Sequence, residues 1–561
     1  MKRTRKIMST FMAMSMVASV VANLAACGGV GPEIEQIDQG RTQLYVLNFN
    51  GGFGDQWLKD IKAEFEALHA NDVYEDGKKG VQIILNSGKK LGNDIEQDLL
   101  EATDEIYFTE YVSPLYDYIS KDYLLDITDI VTETLPGENR SIEDKMSQTQ
   151  RDFLKVDFTG SENTKYYAIP HYSIYTGIVY DIDLFEEQGL YLLKDGGYSI
   201  PGAFFNGEYI GSGELSNGPD GQAGTYDDGM PATYDEFFAL CDYMVKNKGI
   251  TPFNWFGKQG AIYHGNLVNS MHADYEGMEQ MRLNFTLNGT AKNLVSVDAS
   301  GNVTNLPDLE ITNENGYELA AQGGYYYALK FMEQVITGEG YHNATKTGSL
   351  TYTHLQAQSD YLYSSYRQSP IAFLIEGTWW ENEASDTFEA MAQFSLGKYD
   401  RRFGMLPFPK ATSDKIGEKF TVYDGKTAFG FIAKNTPKQK HELAKEFLQF
   451  CYTDDKLADF SVKTNSFRDL DYTLTGEQQA QLSGFGRYLY DVKASGNLDI
   501  VYPFTTTTKF VNNSSTILGF MGYTRVDGTA VSAAKYIGKR SLLDMFNESK
   551  NYRKAIWSSL N

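Results

Sequence analysis

The chain is short of cysteine, of net positive charge and of long apolar runs, and each shortage removes a class of protein. Only three cysteines stand in 561 residues. Cys241 and Cys451 each lie in an apolar, helix-like run, 237–241 and 447–451, and no CxxC or Cys/His ligand spacing occurs. Small buried residues are expected there, rather than a disulfide scaffold or a zinc module. Lys and Arg number 50 against 74 Asp and Glu, a formal net charge of -24. Nucleic acid or an anionic lipid surface would require a basic face, which argues against both as partners. GxSxG, HExxH and metal-spaced histidine pairs are all missing, and the seven histidines are scattered. The chain is therefore read as a binder rather than an enzyme. A glycoside hydrolase, which needs two carboxylates at a set separation, stays open as a remote alternative.

What is present begins at the N-terminus. Lys2, Arg3, Arg5 and Lys6 precede an apolar stretch from about Met8 to Val21. That stretch is too short, and wrongly flanked, for a helix that stays in a bilayer, and no second one approaches the length needed. Leu24-Ala25-Ala26-Cys27 follows, with small residues before a cysteine that would carry a diacylglycerol thioether after cleavage. These four residues resemble the bacterial lipobox. Residues 1–26 are thus expected to be a lipoprotein signal peptide, Cys27 the lipid anchor, and 27–41 a flexible tether. The expected location is outside the cell, anchored to the outer face of the cell membrane.

Aromatic residues are abundant, at 14 %, with 39 Tyr and 33 Phe. Sugars stack their C–H faces on such rings, although tyrosine is also an ordinary core residue. Along the chain, strand-like and helix-like segments alternate. Residues 43–47 read as a strand ending in the loop 48–54. A helix follows with Trp57, Leu58, Ile61, Phe65 and Leu68 on one face. Residues 81–85 and 105–108 read as further strands. This order implies right-handed crossovers in a parallel sheet, with ligands met at the carboxyl ends of strands. The glycine-rich loop 51–54 lacks the Walker lysine and the GxGxxG spacing, so phosphate binding is not expected.

A set of short passages then occurs in order. Tyr166-Tyr167-Ala168-Ile169-Pro170 is followed by Tyr180-Asp181-Ile182-Asp183-Leu184-Phe185. Pro231-Ala232-Thr233-Tyr234-Asp235-Glu236-Phe237 comes next, where Thr233 and Glu236 make a capping box. Glu376-Gly377-Thr378-Trp379-Trp380, Gly404-Met405-Leu406-Pro407 and Glu442-Leu443-Ala444-Lys445-Glu446-Phe447-Leu448 complete the set. Together they resemble the family 1 extracellular solute-binding proteins, the maltose-binding-protein-like group, over about residues 42–470. Two departures stand out: Asp181 occupies a position where the family usually has Asn, and an insertion spans roughly residues 191–230. Asp220, Asp227 and Asp228 in that insertion could enclose a structural calcium ion; the alternative is a solvated hairpin with Asp-Gly turns.

The resemblance implies an α/β, two-lobed periplasmic-binding-protein-like fold with the lobes joined by crossing hinge segments. Residues 42–168 plus 425–469 would form one lobe, and 170–424 plus 470–561 the other. It implies a monomer that captures a carbohydrate, with aromatic richness leaning to an oligosaccharide, and delivers it to the permease subunits of an ABC importer. A surface glycan-binding adhesin is the alternative. No cofactor is required. Expected ligand contacts in the first lobe are Asn50, Phe53, Trp57, Phe108 and Glu110. Around the first crossing they are His171, Tyr172 and Tyr175. Further along they are Asn254 and Trp255, then Glu376 with one of Trp379 and Trp380, then Tyr423 and Lys426 at the second crossing.

Overall fold

A computed structural model of the chain describes residues 36–88, 93–101, 103–110, 115–157, 163–425, 428–503, 505–526, 529–532 and 535–560. Cys27 and Lys426 lie outside the described residues, as does the signal segment. Among the described residues no helix is long and apolar enough to cross a membrane.

The strands that carry the architecture are, in chain order, β1 (Thr42–Phe49), β2 (Val81–Gly88), β3 (Ile106–Thr109), β4 (Ile169–Pro170), β5 (Thr176–Asp181), β6 (Thr251–Trp255), β7 (Ile371–Gly377), β8 (Phe403–Met405), β9 (Phe420–Tyr423), β10 (Phe429–Ile432) and β11 (Leu498–Val501). One sheet has the order β2-β1-β3-β10-β4, the other β6-β7-β5-β8. In the first, β1 is parallel to β2 and β3, whereas β10 runs antiparallel. In the second, β6 and β7 are parallel and β5 is antiparallel to β7. β1 and β7 are buried on both faces, as strands covered by helices on each side must be.

The helix α1 (Gln56–Leu68) buries Trp57, Leu58, Ile61 and Phe65 against the first sheet. Leu68, expected on the same face, is 63 % exposed, because the helix ends there and its last turn overhangs the core. Helix α2 (Tyr234–Tyr243) begins at the predicted capping box: the Thr233 hydroxyl accepts from the Glu236 N–H, and the Glu236 carboxylate accepts from the Thr233 N–H. Cys241 and Cys451 are both free and buried.

The insertion over 191–230 carries a hairpin, Phe204–Phe205 against Glu208–Tyr209. Its turn is Asn206-Gly207 with φ of 49° and 81°, the left-handed pair that a two-residue hairpin requires. The Asp220–Asp228 loop uses its carboxylates internally. Asp227 accepts from the Asp220 N–H at 2.9 Å and the Thr225 hydroxyl at 2.7 Å, and Asp228 accepts from the Gly224 N–H at 2.7 Å. Among the described residues no group of three or more His, Cys, Asp or Glu side chains is placed to hold a metal ion.

The chain passes between the sheets at 171–175, at 424–425 and again after α4 (Asp454–Thr464). That helix packs on α1, and the later helix α5 (Gly484–Ala494) packs on β8. Hydrogen bonds tie the three passages together. Asp424 accepts from the Ile174 N–H at 3.1 Å, and Ser173 and Tyr502 share a hydroxyl pair at 2.5 Å. Tyr502 also donates to the Asp469 carboxylate.

The long helix α3 (Gly260–Thr286), which precedes α4 in the chain, crosses the second lobe and bends at Gly277, where φ is 69°. Just before the bend, Glu276 is buried and accepts from the Gly324 N–H at 2.8 Å and the Asn293 amide at 3.0 Å. Burial pushes its carboxyl up to about 7, against those hydrogen bonds. Between about pH 4.5 and 7 the unfolded chain has released a proton that the folded chain keeps. This residue's contribution to stability therefore falls as pH rises through that window and levels off above it. Replacing Glu276 by Gln removes only this dependence; the opposing one from buried His264 and His272, whose rings burial holds near pH 3, is common to both proteins. The melting temperature of Glu276→Gln relative to wild type should rise between pH 5 and pH 8, and parallel pH curves would contradict the shift.

Candidate functional site

The start of β5, the turn after β7, the end of β9 and the first turns of α3 bound a cavity of about 220 Å³ beside the second crossing. Its aromatic walls are Tyr175, Trp379 and Tyr423. Polar lining comes from Thr176, at the start of β5, and from Asn266 and Asn269, one turn apart on α3. Ile174, Ile262 and Leu518 supply apolar surface, and Gly425 completes the lining at the crossing.

The loop after β1 in the first lobe meets the Trp379 wall. A Cβ placed on Gly52 would stand 2.5 Å from Trp379 Cβ, so the two lobes touch where only a hydrogen fits. The lobes are thus in contact at Gly52 and Trp379. Beside that contact, Phe53 meets Tyr172, within the first-lobe aromatic group, edge-on at 4.9 Å between ring centroids.

Trp379 is held from behind. Its ring lies over Gly377, where a Cβ would come within 2.1 Å, and it is hydrogen-bonded to the Tyr263 hydroxyl. Glu376, buried at the end of β7, accepts from the Gly377 N–H at 3.1 Å and from the Gln358 amide at 3.2 Å. Burial first, and then the nearby Glu383 carboxylate, push its carboxyl well above the usual range. Glu376 supports the wall from behind and does not itself line the cavity.

The expected contacts separate into three groups. Tyr175, Trp379 and Tyr423 line the cavity. A second group forms the aromatic interior of the first lobe. Trp57 packs at 5.5 Å on Phe108 and 5.2 Å on His171, and the buried Arg468 guanidinium lies 5.1 Å above the Trp57 ring. Burial, and next the positive charge of Arg468, hold the His171 imidazole neutral. Tyr172 donates to Glu110 at 2.6 Å, and the Asn50 N–H continues the β2 pairing by donating to the Gly88 carbonyl at 2.7 Å. These residues shape the first-lobe side without bounding the cavity.

The third group is second-lobe core. Asn254 donates to the Tyr352 hydroxyl and the Ala357 carbonyl, each at 2.9 Å, and Trp255 packs on His264 and His342. Trp380 is fully buried among Tyr361, Phe388, Phe403 and Phe485. Adjacent residues at the end of a strand point apart, which sends Trp379 to the cavity and Trp380 inward.

Sequence reasoning missed Ile174, Thr176, Ile262, Asn266, Asn269, Gly425 and Leu518. One signal was available for the asparagines: Asn is a weak helix former, and two of them sit one turn apart inside a long helix.

No family model matches the chain, and no curated protein matches it by sequence. Solved structures do share its fold. A chitin oligosaccharide binding protein is 14 % identical with a TM-score of 0.54, over 92 % of this chain and 99 % of that one. The bacterial solute receptor AcbH, described as having an exclusive preference for β-D-galactopyranose, is 12 % identical with a TM-score of 0.54, over 92 % of this chain and 100 % of that one. A cyclic α-maltosyl-1,6-maltose binding protein from Arthrobacter globiformis is 12 % identical with a TM-score of 0.52, over 93 % of this chain and 100 % of that one. The two-lobed, maltose-binding-protein-like α/β fold is therefore the fold of this chain.

Proposed function

We propose that this chain is the substrate-binding component of an ABC importer, tethered to the outer face of the membrane through Cys27. It captures a carbohydrate between its lobes and delivers it to the permease. The observation that carries this reading is the cavity at the lobe junction, with three aromatic walls and two side-chain amides. Aromatic rings take the C–H faces of a sugar, and amides offer both a donor and an acceptor to its hydroxyls. The cavity lining presents no carboxylate pair among the described residues, so it offers contacts for holding a ligand rather than groups for cleaving one. Three passages joined by hydrogen bonds supply a hinge on which two lobes close, and closure coupled to ligand makes the closed form the signal to a permease. The fold shared with the chitin oligosaccharide and cyclic maltosyl-maltose binding proteins supports the same ligand class.

The test is a thermal-shift screen against mono- and oligosaccharides. A ligand at about 100 times its Kd stabilises the native state by about 2.7 kcal/mol, so a cognate sugar should raise the melting temperature by several degrees. A panel in which no sugar moves the transition would refute the carbohydrate assignment. New reducing ends appearing during incubation would replace binding by hydrolysis.

A further inference from the structure

We infer that the cavity takes a single pyranose ring, free or as the terminal ring of a longer glycan held end-on, and that Asn266 and Asn269 read its hydroxyls. The inference rests on the carbohydrate reading above and narrows it. Size is the first reason. Sites for drug-sized ligands enclose about 300–1,000 Å³, whereas this cavity holds about 220 Å³. That lies below the lower end of the range, room for one hydroxylated ring rather than for a chain laid along the cleft.

The volume does not reflect lobes standing apart. Gly52 already abuts Trp379, so little further approach is available there. Ile262, which lines the cavity, is 55 % exposed, so a second ring on that side would lie largely in water.

The amide pair is the second reason. Asn266 and Asn269 present their side chains on one face of α3, as an i, i+3 pair does, and both line the cavity. The Asn269 side-chain oxygen is buried and has no hydrogen-bond partner among the described residues. Another asparagine of the same helix shows the contrast. Asn284 donates to Gln322 at 2.7 Å and accepts from Arg553 at 3.3 Å, so its amide is satisfied inside the protein. An acceptor left unmade at a cavity wall is disfavoured unless a ligand donor meets it.

Isothermal titration against three length series tests this: glucose, maltose and maltotriose; galactose, melibiose and raffinose; N-acetylglucosamine and chitobiose. In the series that binds, each added ring should change Kd by less than about fivefold. Asn266→Ala and Asn269→Ala should each weaken binding about tenfold, with the melting temperature of the free protein almost unchanged. Asn269→Leu, which keeps a similar shape but carries neither acceptor nor donor, gives the same reading should an alanine variant fail to fold. Affinity that climbs more than tenfold with each added ring, or alanine variants that bind as wild type does, would overturn the inference while leaving carbohydrate binding intact. No binding by any sugar would remove both.

Discussion

Trp380→Ala should cost the free protein about 3–5 kcal/mol of folding stability, the range for emptying a large aromatic site in a core. Its neighbour Trp379→Ala should cost much less stability and instead lose ligand affinity. Trp380 is fully buried, with Phe403, Phe388, Phe485 and Tyr361 at centroid distances of 5.2, 5.6, 5.7 and 6.0 Å. Those rings come from β8 and from helices on both sides of it, so removing the indole opens a void that several elements share. Trp379 has the cavity on one side and meets the first lobe at Gly52 on another. Truncating it removes an aromatic wall and, within its own lobe, the contact over Gly377 and the Tyr263 hydrogen bond, but no cage of four rings such as surrounds Trp380. The loss in binding should be at least about 2 kcal/mol, some thirtyfold, as for a central aromatic contact. Urea unfolding and calorimetric titration of both variants separate the two roles. If Trp379→Ala destabilises the free protein as severely as Trp380→Ala, then Trp379 is a core residue and the placement of the cavity wall is wrong.

Gly52→Ala should weaken ligand binding about 5- to 150-fold while leaving each lobe folded. The added methyl would sit 2.5 Å from Trp379 Cβ and 3.0 Å from its Cγ, too close for any rotamer change to relieve, since Cβ moves only with the backbone. Gly52 lies outside the left-handed region of φ, so its own backbone accepts alanine. The strain therefore falls on the contact between lobes. Overpacking of this kind costs about 1–3 kcal/mol, and a ligand that needs lobe contact loses that much affinity as the equilibrium shifts towards the open form. Gly54, two residues on, is the control: a Cβ there meets nothing within 4 Å, although its φ of 69° strains the local backbone. Titration with the cognate sugar, together with small-angle scattering of the unliganded variants, would distinguish opening from unfolding. A Gly52→Ala protein with unchanged affinity and radius would show that this contact does not control closure.

Much of the fold was legible because it is written in local signals. The capping box at Thr233 and Glu236, the doubly buried run of β1 and the apolar stripe of α1 each follow from a few neighbouring residues. The Asn206-Gly207 turn shows the same economy, although the expectation for the insertion pointed to Asp-Gly turns. Leu68 misled because periodicity cannot see where the core stops beneath a helix end.

The site was legible in kind and not in membership. Rich aromatic content and the Trp379-Trp380 pair pointed to stacking surfaces, and Tyr175, Trp379 and Tyr423 do bound the cavity. Trp57, Phe108 and His171 carry the same chemistry, yet they pack on one another, with Trp57 beneath Arg468 from far later in the sequence. An aromatic side chain has one identity whether it faces a core or a cleft, and only the packing of distant segments decides which.

By itself the sequence determined the alternation of strands and helices, the caps and turns, and the acidic, cysteine-poor character of the chain, since these depend on local propensity and composition. The tertiary structure alone decided that Gly52 meets Trp379, that Asn266 and Asn269 of α3 complete the cavity, and that Trp380 turns inward. Each of these is a contact between segments far apart in the chain, set by how two sheets and their helices pack, and no periodicity within either segment encodes it.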